Sequence, residues 1–355
     1  MMSLSPYRFL YECEYKRVPP RRTAVNPIDN GKRPICWNLA FLDYEHSIIL
    51  RYVQDEPTKE REERELTGAE RRYLVIGAKG MLGTDLLGIL HDKRADAAGM
   101  DVEEIDIREW ASVQGAVKGI NPDIVINCAA LTNVDWCEAN SEEAFAVNAS
   151  GSANIARVCR EIGAYLLHIS TDYVFDGMKA APYLEDDPVR PISVYGRSKS
   201  EGEAEVRAIL PERHCIARTQ WLYGIHGKNF VETILGLAAS KDVLRVVDDQ
   251  RGSPTYAADL AEAILALCNA NAVGTFHVTN SGDATWWEFA VAAVNEAGLS
   301  HVKVEPITTD QMPRPAPRPK NAVLDGSRFK QVTGLTMRPW RAALSDYIAK
   351  RAQRA

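Results

Sequence analysis

Tyr195 and Lys199, four residues apart in "VYGRSKSEGE", are the side chains of this sequence best suited to chemistry. At that spacing on a helix both project from one face. An ammonium beside a phenol favours the phenolate and lowers its pKa. A tyrosine so placed can give a proton to a developing alkoxide at neutral pH. Upstream, in "HISTDYVFDG", an apolar run exits into Thr171, Asp172 and Tyr173, a hydroxyl, a carboxylate and a phenol side by side. Further upstream "VIGAKGMLG" sets Gly77, Gly80 and Gly83 in Gly-x-x-Gly-x-x-Gly spacing. In such a loop the first glycine permits a tight turn, the second lets the backbone approach a pyrophosphate, and the third lets helix and strand pack closely. Each pattern has a plainer reading: an aromatic–cation surface pair, a polar turn, a glycine-rich turn. Their joint order is what points to a dinucleotide-dependent oxidoreductase.

The elements that must position these groups are legible from residue 72 onward. "RYLVIG", "DIVINCAA", "AYLLHIS", "HCIARTQWLYG", "VLRVVDD" and "GTFHVTN" are apolar runs of strand length. Between them lie helical patterns: "GMLGTDLLGILHD", the long "SEEAFAVNASGSANIARVCREIG" with Ser141 as N-cap and Gly163 as terminator, "SVYGRSKSEGEAEVRAIL", "NFVETILGLAAS", and "TWWEFAVAAVNEAG" capped by Thr285. Alternating apolar strands and helices predict an α/β fold, a doubly wound parallel Rossmann sheet covered on both faces. Its ligands sit at the carboxyl ends of the strands. After about residue 220 the pattern loosens. There we expect a smaller C-terminal substrate lobe, with "MPRPAPRPKNAVLD" as an ordered loop over the cleft.

Within that frame Asp101 ends the second strand at the usual distance for an acid that accepts from the adenosine ribose hydroxyls. Val102 follows where an arginine would welcome a 2′-phosphate, which favours NADH over NADPH. "EIDI" places Asp106 and Ile107 against the adenine, and the small residues of "NCAA" let a nicotinamide ribose lie against the backbone. An exposed acidic strand end and simple sheet packing are the plainer alternatives.

Composition narrows the class. The chain has 355 residues and a net charge of −6, with no basic footprint for nucleic acid. No apolar run approaches the roughly 18–20 residues of a membrane helix, and "MMSLSPYRFLYECEYKR" lacks the form of a signal peptide. The seven cysteines (13, 36, 128, 137, 159, 215 and 268) contain no Cys-x-x-Cys pair, which predicts reduced thiols in a cytoplasm and no metal site. Residues 1–70 read differently from 71–355. "YRFLYECEY" and "HSIILRYV" suit short strands among Pro and Gly turns, and "DEPTKEREERELTGAERR" reads as a solvated charged linker or a short exposed helix.

From Arg72 on, the chain resembles dTDP-4-dehydrorhamnose reductase, an extended short-chain dehydrogenase/reductase. The resemblance is carried by "GAKGMLG", "NCAALTNVDWCE", "STDYVFDG", "PISVYGRSKSEGE", "RTQWLYG", "KNFVETIL", "VVDDQRGSPTY" and "RPKNAVLD". It implies a catalytic triad of Thr171, Tyr195 and Lys199. It implies an NADPH or NADH site lined by Gly77, Gly80, Met81, Leu82, Gly83, Asp106, Ile107, Cys128, Ala129, Ala130 and Asn148, with Tyr195 and Lys199. A dTDP-sugar would meet Thr132, Val134, Asp172, Trp221, Asn229, Gln250 and Arg251. The implied reaction delivers hydride to C4 of the keto sugar. Tyr195 protonates the new oxygen, Lys199 holds the nicotinamide ribose, and Thr171 orients the oxygen. A second copy of the chain is a candidate partner. Gln220, where serine is usual, and the extra prolines of "MPRPAPRPK" depart from the family pattern.

Two other classes share the fold. One is a non-catalytic module resembling the regulatory subunit of methionine adenosyltransferase. The other is a sugar-nucleotide dehydratase or epimerase, though a dehydratase usually carries Asp-Glu after the threonine and here Asp172-Tyr173 follows. The stretches "AVNPIDNGKRPICW" and "SIILRYVQDEPT" weakly resemble the tail of a fused 3,5-epimerase, too short to close a barrel. We expect a vestigial or docking extension without epimerase activity.

Overall fold

The computed structural model describes residues 71–354. The readings for residues 1–70, the short strands, the charged linker and the epimerase-like tail, lie outside the described residues.

Six parallel strands make the main sheet: β1 (Arg72–Ile76), β2 (Asp96–Met100), β3 (Ile124–Asn127), β4 (Tyr165–Thr171), β5 (His214–Thr219) and β6 (Gly274–His277). Their spatial order is β6-β5-β4-β3-β1-β2, so the winding reverses between β1 and β3. A reversal splays the connecting loops apart and leaves a crevice at the carboxyl ends of the two strands. The sheet is buried because its strands are apolar throughout. One face packs Val75, Ile126 and Leu167 against helices α1 (Met81–Asp92) and, later in the chain, Ala257–Asn269. The other packs Leu74, Val125 and Leu166 against α2 (Trp110–Ile120) and Ser152–Ile162.

Two helical readings are refined. The long helix begins at Ser141, with Asn140 rather than Ser141 at the cap position, and it is interrupted by a π-helical segment, Ala146–Gly151. It resumes as Ser152–Ile162 and stops at Gly163, whose φ of +67° is the left-handed geometry expected of a terminating glycine. The helix that carries Tyr195 and Lys199, which we call α3 (Val194–Ile209), is capped by Ser193, whose hydroxyl accepts from Gly196 N–H at 3.1 Å.

The expected strand "HCIARTQWLYG" breaks in two. Trp221 adopts φ +48°, which no strand residue can hold, so the chain turns between Thr219 and Leu222. Val243–Val247 forms a strand, but it pairs in parallel with Lys303–Ile307 outside the main sheet. The lobe after residue 220 has two apolar clusters of its own, one around Tyr223, Phe289 and Tyr347, the other around Leu244, Val246 and Val294. The chain nevertheless returns to the Rossmann core, where Leu260, Ile264 and Leu267 join Val75 and Leu167.

Candidate active site

β4 and α3 bring the chemistry together. A methyl at Gly196 would lie 2.2 Å from the Tyr173 carbonyl oxygen, so only glycine lets the first turn of α3 sit against the strand exit. Glu138 fastens the same turn by accepting from Val194 N–H at 2.7 Å. The Tyr195 ring then meets Tyr173 edge-on, centroids 5.4 Å apart. One cavity of about 530 Å³ is lined by Thr171, Asp172, Tyr173, Tyr195 and Lys199. Gly77, Gly80, Met81, Leu82 and Gly83 of the glycine loop border it, as do Cys128, Ala130, Thr132, Val134 and Trp221.

Electrostatics differ from the simplest sequence picture. The Lys199 ammonium donates to the Ile169 carbonyl at 2.7 Å and lies 3.3 Å from Nε2 of His168. Burial pulls its pKa down to about 8, against the raising pull of Glu203. Burial raises the Tyr195 pKa, opposed by its hydrogen bond with Thr171. Burial, rather than a neighbouring charge, is the largest influence on the Tyr195 phenol. Asp172 is buried, its Oδ1 accepts from the Thr171 hydroxyl at 2.9 Å, and burial pushes its pKa up to about 7. Burial likewise pushes the Cys128 thiol up to about 12, which leaves it protonated and inert.

A dinucleotide fits the glycine loop. Gly77 has φ +81°, and a methyl there would lie 2.8 Å from the Ala129 nitrogen; one at Gly83 would lie 2.2 Å from the Gly77 carbonyl oxygen. Those two glycines close the packing. Gly80 instead meets only the Gly77 oxygen, at 3.2 Å, and it faces two cavities at the N-terminus of α1. The second of these, about 550 Å³, is lined by Asp101, Asp106, Ile107, Ala129 and Ala130. Asp101, just past β2, lines this cavity with Oδ2 accepting from the Lys79 N–H of the loop at 2.8 Å and Oδ1 from Val102 N–H at 2.9 Å. The two cations on that rim are already paired, Lys79 with Glu103 at 2.9 Å and Arg108 with Asp106 at 2.7 Å.

On the other side, Tyr173 is shared with a third cavity of about 660 Å³. Phe230 and Trp286 supply flat apolar walls, and Arg245, Arg314 and Arg318 supply positive charge. The proline-rich segment lines it with Met312, Pro313, Arg314, Ala316, Pro317 and Arg318 and forms its roof. Arg318 anchors the roof by donating to both carboxylate oxygens of Asp135, at 2.6 and 2.9 Å. Trp221 stacks on Trp286 at 3.6 Å, so the strand break after Thr219 builds the partition between the two cavities.

Residues 71–353 match the family model described as RmlD substrate binding domain. The chain belongs to this family. The dTDP-4-dehydrorhamnose reductase of Streptomyces griseus is 43% identical over 280 residues, 78% of this chain and 92% of that one. The dTDP-4-keto-6-deoxy-D-glucose reductase of Streptomyces niveus is 38% identical over 275 residues, 78% of this chain and 96% of its own. The structure of a Bacillus anthracis dTDP-4-dehydrorhamnose reductase in complex with NADP superposes with a TM-score of 0.77 at 37% identity, covering 79% of this chain and 99% of that one.

Against the RmlD-family expectations, three residues stand apart from the cavities. Asn148 is fully buried in the π-helical segment and straps the loop after Ala130, accepting from Leu131 N–H at 2.9 Å and donating to Ser198 Oγ at 3.0 Å. Asn229 caps the helix Phe230–Ala238, with its amide oxygen taken by Glu232 N–H and its amide nitrogen by the Gly224 carbonyl. Arg251 is paired with Asp283 and Glu288. Gln250 does line the arginine-bearing cavity, where it donates to Thr309 Oγ1 at 2.9 Å. Gln220, the departure from the family pattern, is consumed structurally between Ala322 and Ser253. Sequence reasoning missed Phe230, Arg245, Trp286, Arg314 and Arg318. The two arginines of "MPRPAPRPK" were a usable signal, because a positively charged roof suits an anionic ligand.

Among the described residues no helix is long and apolar enough to cross a membrane, and no cluster of His, Cys, Asp or Glu is placed to hold a metal ion. The five described cysteines are free thiols.

Proposed function

We propose that this chain reduces the C4 keto group of dTDP-4-dehydro-L-rhamnose to give dTDP-L-rhamnose. The observation that carries this reading is the joint placement of Thr171, Tyr195 and Lys199 in one cavity that opens, past Tyr173, into a second lined by arginines and aromatic rings. An acid-donating phenol beside a glycine loop suits carbonyl reduction, and a positive, aromatic annex suits a nucleoside diphosphate.

Gly77, Gly80, Ala129 and Ala130 would hold the NADPH or NADH, with Asp101, Asp106 and Ile107 at its adenosine end. When bound, that cofactor supplies the hydride. Tyr195 holds the proton that the alkoxide takes; burial keeps its phenol protonated through the neutral range. Lys199, an ammonium below about pH 8, is fixed by the Ile169 carbonyl and points into the same cavity. Thr171 stands beside Tyr195 to orient the reacting oxygen. Arg245 and Arg314, both exposed in the annex, would bind the pyrophosphate, and Phe230 and Trp286 would flank the base.

The test supplies dTDP-4-keto-6-deoxyglucose with or without a separate 3,5-epimerase, and NADH or NADPH in separate arms, while absorbance and product are followed. Oxidation that requires the epimerase supports the reading. Oxidation without it assigns the unepimerised sugar if the product keeps its C3 and C5 configuration, and epimerisation by this chain if it does not; none in any arm defeats the reading. Omitting the epimerase also examines residues 1–70, for which we propose docking without C3/C5 proton exchange.

A further inference from the structure

The hydroxyl of Thr171 has one proton and two lone pairs. It lies 2.9 Å from Asp172 Oδ1 and accepts from Tyr173 N–H at 3.2 Å. A carboxylate only accepts, so an ionised Asp172 claims the Thr171 proton. Thr171 would then present only a lone pair to a keto oxygen, which is also an acceptor. A protonated Asp172 reverses the bond. It donates to Thr171, whose two lone pairs are then filled by Asp172 and Tyr173 N–H. The Thr171 proton is freed for the substrate, and Tyr195 no longer has a lone pair on Thr171 to donate to.

We propose that Asp172 works as a neutral carboxylic acid that donates to Thr171 and so directs both the Thr171 and the Tyr195 protons at the substrate oxygen. The surroundings favour that form. Asp172 is 2% exposed, and no cation is paired with it among the described residues. The titratable groups sharing its cavity are Cys128, Tyr173, Tyr195, Lys199 and Lys228. Cys128 and the two tyrosines are neutral at pH 7, Lys199 is committed to Ile169 and His168, and Lys228 is exposed at the rim. From the neighbouring roof, Arg318 is held by Asp135. Burial without a paired cation pushes the Asp172 pKa up to about 7, outweighing the Thr171 hydroxyl and the backbone N–H groups of Asp172 and Tyr173, which favour the ionised form. No proton is lost on Asp172 over the reaction: the carbon takes hydride, the oxygen takes the Tyr195 proton, and the Asp172 proton stays in the shared bond.

This rests on the reading that Thr171 meets the keto oxygen, and the test separates the two. If Asp172 must be protonated, wild-type kcat falls as pH rises through 7, by about tenfold per unit once the acid is ionised. Asp172→Asn, whose amide can donate to Thr171 and does not titrate, loses that limb and keeps only the later fall near Lys199. A kcat that rises through the same range, or a limb that persists in Asp172→Asn, overturns the proposal while leaving the reductase reading intact. A readout independent of turnover is the carboxyl ¹³C titration of aspartate-labelled protein in an Asp85→Asn background, since Asp85 is another aspartate that burial pushes up. One aspartate titrating near neutrality is expected. If Asp172→Asn does not fold, the absence of any such signal still rules the proposal out.

Discussion

The Glu203 carboxylate, buried one helical turn past Lys199, takes two N–H groups of Arg218, at 2.8 and 2.7 Å, and the Ser170 hydroxyl at 2.6 Å. Ser170 precedes Thr171 on β4, and Arg218 precedes Thr219 on β5. α3 is thereby fastened to both strands beside Thr171 and Thr219. Burial pushes the Glu203 pKa up, but Arg218 and Ser170 together hold it below the usual carboxylate range.

Removing Glu203 leaves Arg218 as an uncompensated buried charge, and breaking such pairs costs about 3–5 kcal/mol. Glu203→Ala should therefore lower the unfolding free energy by that order in urea titrations. A loss below about 1 kcal/mol, the range of a surface pair, would show that the contact is not structural.

Gly196→Ala forces α3 away from Tyr173, because its methyl would sit 2.2 Å from a backbone oxygen. Misplacement of catalytic groups by about 1 Å costs on the order of 100-fold in rate. We expect kcat to drop by that order while NADPH affinity, measured by fluorescence, holds, since the glycine loop is untouched. Unchanged kcat would mean that the helix accommodates the methyl without moving Tyr195.

Lys199 has a folded-state pKa near 8, below the ordinary 10.5. Below pH 8 both folded and unfolded forms carry the proton, and the burial penalty is fully present. Between about 8 and 10.5 the unfolded chain binds more protons, so stability rises with pH from this group. Wild-type protein should gain stability relative to Lys199→Met across that window, by up to about 3 kcal/mol at about 1.4 kcal/mol per unit. A difference that is flat with pH would contradict the burial argument. Activity of Lys199→Met should be lost at every pH.

Arg245→Ala and Arg314→Ala should raise KM for the sugar nucleotide by about tenfold each, the value of one charge-assisted hydrogen bond. Arg251→Ala, away from the cavity and paired with Asp283, should not. Steady-state kinetics on the three variants distinguishes the annex from the position that sequence resemblance pointed to; a larger effect at Arg251 would return the nucleotide to that side.

The local patterns were legible without a structure because the physics behind them is local. Gly77, Gly80 and Gly83 announce a tight turn between strand and helix by their spacing. The Tyr195–Lys199 pair shares a helical face by periodicity, and apolar strands alternating with helices imply a parallel sheet. Other facts depended on contacts between distant segments, which spacing does not encode. Asp135 and Arg318 are 183 residues apart, yet their ion pair fixes the roof over the substrate side. Lys199 faces the Ile169 carbonyl and His168 because β4 passes beneath α3, and that burial, not its neighbour in sequence, sets its charge. Thr171 and Asp172 are adjacent in the sequence, but whether their shared proton serves the substrate is decided by how little water and how few cations the fold leaves around them.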